Sequence, residues 1–179
     1  MNFIESLTSD RSDLVKDRLQ IVIFGAYKPP EAKKRLVDFK KFLQSQGYTG
    51  ARLVEDFSIP ARKEGEDISV YFWQKCQYWL QTADVVIFVF FKEGKLEGMT
   101  SEFSHFVDNL KDRMWRGIVF AEPKMSHMIL GRLRLFPTEL KQDNFSGDDH
   151  LQSLSLGYLI DYPKKLFFDI RNRSPFPTT

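Results

Sequence analysis

The segment from Leu80 to Phe103, LQTADVVIFVFFKEGKLEGMTSEF, constrains the fold of this chain more than any other part of it. The stretch from Asp84 to Phe91 has the make-up of a buried strand, and a loop that contains glycine follows it. Glu102 then stands where a new helix is expected to begin. In open α/β folds the carboxyl edge of the sheet is where ligands bind, so Glu102 is a candidate site residue.

Strands and helices alternate along the rest of the chain. The predicted strands are Gln20 to Phe24, Arg52 to Phe57, Asp84 to Phe91, Gly117 to Ala121 and a fifth near Leu140. Five helices are predicted. They are Pro29 to Gly47, a second helix with Ile68, Phe72, Cys76 and Trp79 on one face, Ser101 to Met114, about Ser126 to Arg134, and a last helix that begins at about Asp148. Such alternation favours an α/β fold, a three-layer doubly wound five-stranded parallel sheet with the flavodoxin-like order 2-1-3-4-5.

The composition is that of one ordinary globular domain, with 42% hydrophobic and 28% charged residues among 179. We expect a single α/β domain over residues 20–170, preceded by a helical extension over residues 1–19. A tail over residues 171–179, which contains Pro175 and Pro177, is expected to be loose or packed on a neighbour.

Cysteine content and hydropathy bear on location. Cys76 is the single cysteine, and the N-terminal residues lack the basic start and the unbroken apolar run of a secretion signal. The longest apolar run, Val85 to Phe91, is far shorter than the roughly 20 residues that a membrane span needs. These features predict a cytoplasmic protein without a membrane span.

The charge pattern gives little reason to expect a nucleic-acid partner, because the formal net charge is only +2. Basic residues do cluster along the first predicted helix, at Lys33, Lys34, Arg35, Lys40 and Lys41. Such a group could attract phosphates, but the apolar residues between them have helical spacing, which favours a plain solvated helix face.

Two loops matter most for a ligand, because they leave the strands that diverge at the switch point of this sheet order. One is Gly25 to Pro30, and the other runs from Lys92 to Ser101. Facing each other across the crevice, they would bring Tyr27 and Lys28 towards Glu102. The backbone amides at the start of the third helix, with Thr100 and Ser101, could bind a phosphate, or either side chain could cap the helix.

Three pieces of sequence carry a resemblance to a known family. They are the first strand ending in Gly25, the stretch from Trp79 to Val86, and Gly98 to Glu102. Together the region from Gln20 to Val119 resembles the nucleoside 2-deoxyribosyltransferase and 2'-deoxynucleoside 5'-phosphate N-hydrolase superfamily. The resemblance implies that Glu102 is the nucleophile that attacks the anomeric carbon of a sugar while the base departs.

The same resemblance implies a nucleoside or nucleotide as ligand. We expect no cofactor, and no metal site either, since His105, His127 and His150 show no metal spacing. Lys28, three positions after Gly25, would lie near the phosphate. The full set of implied substrate-binding residues is Gly25, Tyr27, Lys28, Gly98, Thr100 and Ser101. Because members of the family complete their sites across a dimer, and because 15% of the residues are aromatic, we expect a homodimer.

Two positions depart from the family pattern. Cys76 stands where the hydrolases have an aspartate that orients the sugar, and Val22 stands where they have a tyrosine. A non-catalytic nucleotide sensor or interaction module therefore stays open. So does a domain similar to TIR domains that cleave NAD, although Met99-Thr100-Ser101 replaces the Trp-Cys that precedes their glutamate.

The chemistry expected of Glu102 follows from its predicted place at a helix N-terminus. The helix dipole there stabilises a carboxylate by about 0.3–1 kcal/mol and lowers its pKa, so we expect an ionised nucleophile. His105, one turn further on, is a candidate proton shuttle. Cys76 is expected to be a buried, unreactive thiol, and Asp84 to hold the entry of its strand by hydrogen bonding to backbone.

Overall fold

One all-parallel sheet of five strands organises the structure. The computed structural model of the chain describes residues 15–57, 65, 67–95, 97–123, 125, 140–163 and 166. The strands are β1 (Ile21–Gly25), β2 (Ala51–Leu53), β3 (Val85–Phe90), β4 (Gly117–Ala121) and β5 (Lys141–Asn144), in the order β2-β1-β3-β4-β5. The predicted fold class and flavodoxin-like strand order are confirmed.

Four α-helices lie in the described parts of the chain: α1 (Pro30–Ser45), α2 (Ile68–Thr82), α3 (Glu97–Asn109) and α4 (Asp148–Leu159). Short 3-10 helices at Val54–Asp56 and Lys111–Arg116 complete them. The helix predicted over Ser126 to Arg134, the tail over 171–179 and residues 1–14 of the N-terminal extension lie outside the described residues.

The three central strands, β1, β3 and β4, are apolar and buried at every position because helices cover both faces of the sheet there, whereas the edge strand β5 is polar and mostly exposed. Successive side chains of a strand point to opposite faces. Ile23 and Ile87 therefore pack with α1 and α4, whereas Phe24 and Phe88 pack with α2 and α3. The rings of Phe24 and Phe88 stack with centroids 5.3 Å apart. This two-sided burial is the physical reason for the continuous apolar runs in the sequence.

Helix α1 forms as its sequence predicts. Pro30 occupies the first turn, where its missing N–H costs nothing, and Gly47 beyond the last turn has a φ of +93°. The buried side chains recur at helical spacing: Ala32, Leu36, Phe39 and Leu43. Leu36 packs onto the end of β1, where a Cβ on Gly25 would lie 2.5 Å from its Cδ2 atom. Gly25 therefore allows close helix-to-strand packing.

Strand β2 is shorter than predicted, because the strand expected over Arg52 to Phe57 ends at Leu53. The carboxylate of Asp56 accepts the backbone N–H of Leu53 at 2.8 Å and also binds Lys40 Nζ at 2.8 Å. A side chain that bonds to nearby backbone competes with the strand ladder. The chain accordingly turns into the 3-10 helix after Leu53.

Only half of the predicted buried face of α2 is confirmed. Cys76 and Trp79 are buried, but Ile68 and Phe72 are 56% and 47% exposed. The buried residues of α2 all lie in its second half, so its first two turns extend beyond the packed layer. At the start of the helix, Asp67 caps it by accepting the backbone N–H of Ser69 at 2.7 Å.

The predicted role of Asp84 is confirmed. Its side chain accepts the backbone N–H of Gln20 at 3.0 Å, and its own N–H donates to the Gln20 carbonyl at 2.9 Å. Asp84 is fully buried, and it joins the starts of β1 and β3.

Replacing Asp84 tests that junction. We expect Asp84→Ala to lower the free energy of unfolding by about 1–3 kcal/mol, because the part-buried Gln20 N–H loses its acceptor. Urea denaturation measures the loss. Asp84→Asn keeps an oxygen acceptor and should cost less, so equal losses in the two variants would contradict this role.

Candidate active site at the carboxyl edge of the sheet

The loops that follow β1 and β3 meet as predicted. The backbone N–H of Lys95 donates to the carbonyl of Lys28 at 3.0 Å. A Cβ added to Gly94 would lie 2.6 Å from the Cβ of Ala26, which shows how closely the loops approach. The candidate site therefore lies at the carboxyl edge between the two strands.

Glu102 does not lie at the start of its helix. Helix α3 begins at Glu97, not at Ser101, and ends at Asn109, after which Lys111–Arg116 forms a 3-10 helix. Met99 is buried and continues the apolar stripe of Phe103 and Phe106 back by one turn, which explains the early start. Glu102 is therefore in the second turn of α3.

This position reverses the expected electrostatics of Glu102. The stabilising effect of a helix N-terminus falls off within the first turn. Burial dominates instead and raises the pKa of the Glu102 carboxyl, while a hydrogen bond from Cys76 acts in the opposite direction. The prediction of a lowered pKa is wrong, because the loss of water around the charge outweighs the helix dipole.

Cys76 contacts Glu102 directly. Its Sγ donates to Glu102 Oε1 at 3.0 Å. Burial, followed by the negative charge of Glu102, raises the pKa of the Cys76 thiol far above its usual range. The predicted burial of Cys76 is confirmed, and its thiol stays protonated at neutral pH, as expected of an unreactive cysteine.

Tyr27 brings a phenol to the same edge. Its Oη atom is buried near the backbone N–H groups of Val54 and Glu55, and its hydrogen has no acceptor among the described residues. Burial, and then the charges of Glu55 and Glu102, raise the pKa of the Tyr27 phenol above its usual range. Lys33 lies 5.9 Å from the centre of the ring and pairs with Glu55 at 2.9 Å. Tyr27 is therefore a protonated donor within electrostatic reach of Glu102.

The remaining predicted binding residues are arranged less favourably. The side chain of Lys28 is exposed, and Gly25 is explained by its contact with α1. Gly98 is exposed in the first turn of α3 and has open space around it. The predicted helix cap at Thr100 or Ser101 is wrong, because both residues lie inside α3. Ser101 also lies beyond the four amides that a helix start leaves open to an anion.

His105 lies one turn beyond Glu102, as predicted. Its Nδ1 atom is 3.1 Å from the side-chain amide nitrogen of Asn109, so Nδ1 is the acceptor and Nε2 carries the hydrogen. Nε2 is buried without a hydrogen-bond partner in the described structure. The ring makes an edge contact with Trp73 on α2, with centroids 5.2 Å apart. Its described contacts are thus with Asn109 and α2.

Sequence reasoning missed a cluster of charged side chains around Arg35. The guanidinium binds Glu122 at 2.9 Å and Asp148 at 2.7 Å, and it also donates to Glu93. Arg35 is only 19% exposed in its side chain, and its charge lies 4.0 Å from the ring centre of Phe91. The interpretation of this helix face as plainly solvated is therefore wrong for Arg35.

A cleft of about 350 Å³ lies beside this cluster. It is lined by Lys92, Glu122, Pro123, Phe145, Ser146 and Gly147. Glu122 follows β4 directly, just as the candidate loops follow β1 and β3, so its position was the signal that sequence reasoning could have used. Its second oxygen accepts the backbone N–H of Lys92 at 2.7 Å.

Within the described ranges, no three His, Cys, Asp or Glu side chains are grouped so that they could hold a metal ion. None of the helices in those ranges is long and apolar enough to cross a membrane.

The raised pKa of Glu102 predicts a stability effect with a definite sign. The folded protein binds a proton at Glu102 more readily than the unfolded chain does, so the wild type loses stability as pH rises through the folded-state pKa. Glu102→Gln cannot ionise and should have the higher Tm at neutral pH, with a difference that shrinks in acid.

Thermal denaturation between mildly acidic and neutral pH measures this difference. Asp108→Asn is the matched control, because it removes an exposed carboxylate from the same helix. A Tm difference between wild type and Glu102→Gln that does not change with pH would contradict the buried, proton-binding carboxyl.

Comparison of the chain with protein-family models, with curated proteins and with solved structures finds no match.

Proposed function

We propose that this protein cleaves or transfers the N-glycosidic bond of a nucleoside or nucleotide, with Glu102 as the nucleophile. The observation that carries the proposal is the placement of Glu102. It is a largely buried carboxylate at the carboxyl edge between β1 and β3, and its charge reaches the buried phenol of Tyr27, whose hydrogen has no acceptor among the described residues.

The environment of Glu102 suits a reaction at a sugar carbon. In the proposed step, a carboxylate oxygen bonds to the anomeric carbon as the C–N bond breaks, and the base leaves with the bonding electrons and takes up a proton. Water or an acceptor base then releases the sugar from Glu102. Burial strengthens the attraction between the carboxylate and a positively charged, oxocarbenium-like carbon, because little water screens it.

Tyr27 supports the proposal as a donor to the substrate. Its phenol stays protonated, since burial and nearby carboxylates raise its pKa. A buried donor without a partner gains a hydrogen bond when a ligand supplies an acceptor, such as a sugar oxygen. Tyr27 would thus bind and orient the substrate beside Glu102.

A second candidate function is a nucleotide sensor that binds without catalysis. One observation favours it: Val22 and Cys76 both lie in the buried layer between the sheet and helices α2 and α3. At these positions the family resemblance implies a tyrosine and an aspartate. A methyl group and a thiol replace a hydroxyl and a carboxylate there, which favours binding over bond cleavage.

Release of free base tests the enzymatic proposal. The purified protein is incubated with deoxynucleosides, their 5'-monophosphates and NAD, and the products are separated by chromatography. We expect release from at least one deoxynucleoside or monophosphate; release from NAD alone would favour the TIR-like alternative. Glu102→Gln should reduce the rate of base release by at least about 10³-fold, which is the size of loss expected when a catalytic group is removed.

Matched variants sharpen the test. Tyr27→Phe should lower kcat/KM by about tenfold, since it removes one hydrogen bond worth about 1.4 kcal/mol. Asp108→Asn, on the same helix, should leave the rate unchanged. If wild type and Glu102→Gln release the same amount of base, Glu102 is not the nucleophile.

Thermal shift with the same compounds separates the two candidate functions. A ligand at 100 times its Kd stabilises the folded state by about 2.7 kcal/mol. A shift without base release supports the sensor. Neither a shift nor release with any compound would overturn both functions.

A further inference from the structure

Cys76 and Glu102 form a buried thiol–carboxylate pair that joins two helices. Cys76 on α2 is 4% exposed, and its Sγ donates to Oε1 of Glu102 on α3 at 3.0 Å. We infer that Cys76 is a positioning residue, whose S–H···O bond orients the Glu102 carboxylate and favours its ionised form. The catalytic consequence of this role rests on the proposed function, but the pair itself does not.

The two carboxylate oxygens of Glu102 differ in their hydrogen bonds. Oε1 is held by the thiol, whereas Oε2 makes no hydrogen bond within the described chain. A carboxylate that is fixed through one oxygen presents the other in a defined direction. Oε2 is therefore the oxygen available to a reacting carbon.

A thiol has suitable properties for holding one oxygen of a carboxylate. It carries one weak donor and no charge, so it stabilises the carboxylate without neutralising it. Burial and the charge of Glu102 raise the pKa of Cys76, which keeps the donor protonated. A hydrogen bond to the charged form lowers the pKa of a carboxyl and partly offsets the effect of burial.

The other titratable groups near Glu102 act less directly. Tyr27 faces it from the loop after β1 and interacts through charge. His105 lies one turn along α3, and its Nδ1 accepts from Asn109. Lys75, next to Cys76, donates to the carbonyl of Phe57 at 2.7 Å. Cys76 alone among these groups makes a described hydrogen bond to Glu102, so a change at position 76 acts on the carboxyl itself.

Infrared spectroscopy tests the pair directly. The chain has a single cysteine, so its S–H stretching band has one source. We expect the band to lie at lower frequency in wild type at neutral pH than in Glu102→Gln, because a carboxylate is a stronger acceptor than an amide. It should also move to higher frequency as Glu102 takes up a proton. A band that is the same in wild type and Glu102→Gln would overturn the inference.

Carbon NMR of protein labelled at glutamate carboxyls tests the effect on ionisation. The Glu102 signal is identified by its loss in Glu102→Gln. Cys76→Ala should raise the pKa of Glu102 further, because the donor is gone, whereas Cys76→Ser supplies a hydroxyl donor and should hold the pKa at or below the wild-type value. Val107→Ala, in the same buried layer, should leave it unchanged. An unchanged pKa in Cys76→Ala would also overturn the inference.

Base release then separates this inference from the proposed function. Where release is observed, the acid limb of its pH profile should move to higher pH in Cys76→Ala and return in Cys76→Ser. If no compound releases base but the infrared and NMR results hold, the proposed enzymatic function fails and the role of Cys76 in positioning Glu102 stands. If base is released but both spectroscopic tests fail, the proposed enzymatic function stands and the role of Cys76 in positioning Glu102 fails.

Discussion

Burial of both faces of the parallel sheet is the constraint on which the rest of this structure depends. Every residue of β3, from Val85 to Phe90, is buried, and the same holds for β1 and β4. Side chains within these strands fill the two apolar layers and have no access to a ligand. The three central strands therefore offer no polar groups to a ligand, and the candidate groups Tyr27 and Glu102 lie in a loop and a helix turn that follow them.

The sequence predicted the sheet well because its signals are local and strong. The short, β-branched run from Val85 to Phe91 indicates a buried strand, and the alternation of strands with helices favours the observed sheet class. Element boundaries were less accurate, since they depend on contacts remote in the chain. Asp56 ends β2 with the help of Lys40, and Phe72 fits the helical spacing of α2 although the packed layer does not reach that far.

The candidate site, like the fold, was predicted only in part. Its location and the facing loops followed from strand order, but the state of Glu102 did not. A helix dipole of about 0.3–1 kcal/mol acts only near the first turn, whereas burial can shift a carboxyl pKa by several units. Which effect dominates depends on the start of α3 at Glu97 and on the approach of Cys76 from α2. The spacing of Met99, Phe103 and Phe106 carries a signal for the early helix start, whereas the approach of Cys76 is not readable from the spacing of residues.

The cluster around Arg35 makes the carboxyl edge electrically uneven. Three carboxylates, from Glu93, Glu122 and Asp148, share one guanidinium, and the pKa of Glu93 is held below its ordinary value chiefly by its hydrogen bond to Arg35 against the effect of burial. The three carboxylates are thus paired with a cation, and Lys92 adds a second positive charge beside Glu93. By contrast, the charges on Lys28 and Lys92 at the same edge are exposed to solvent.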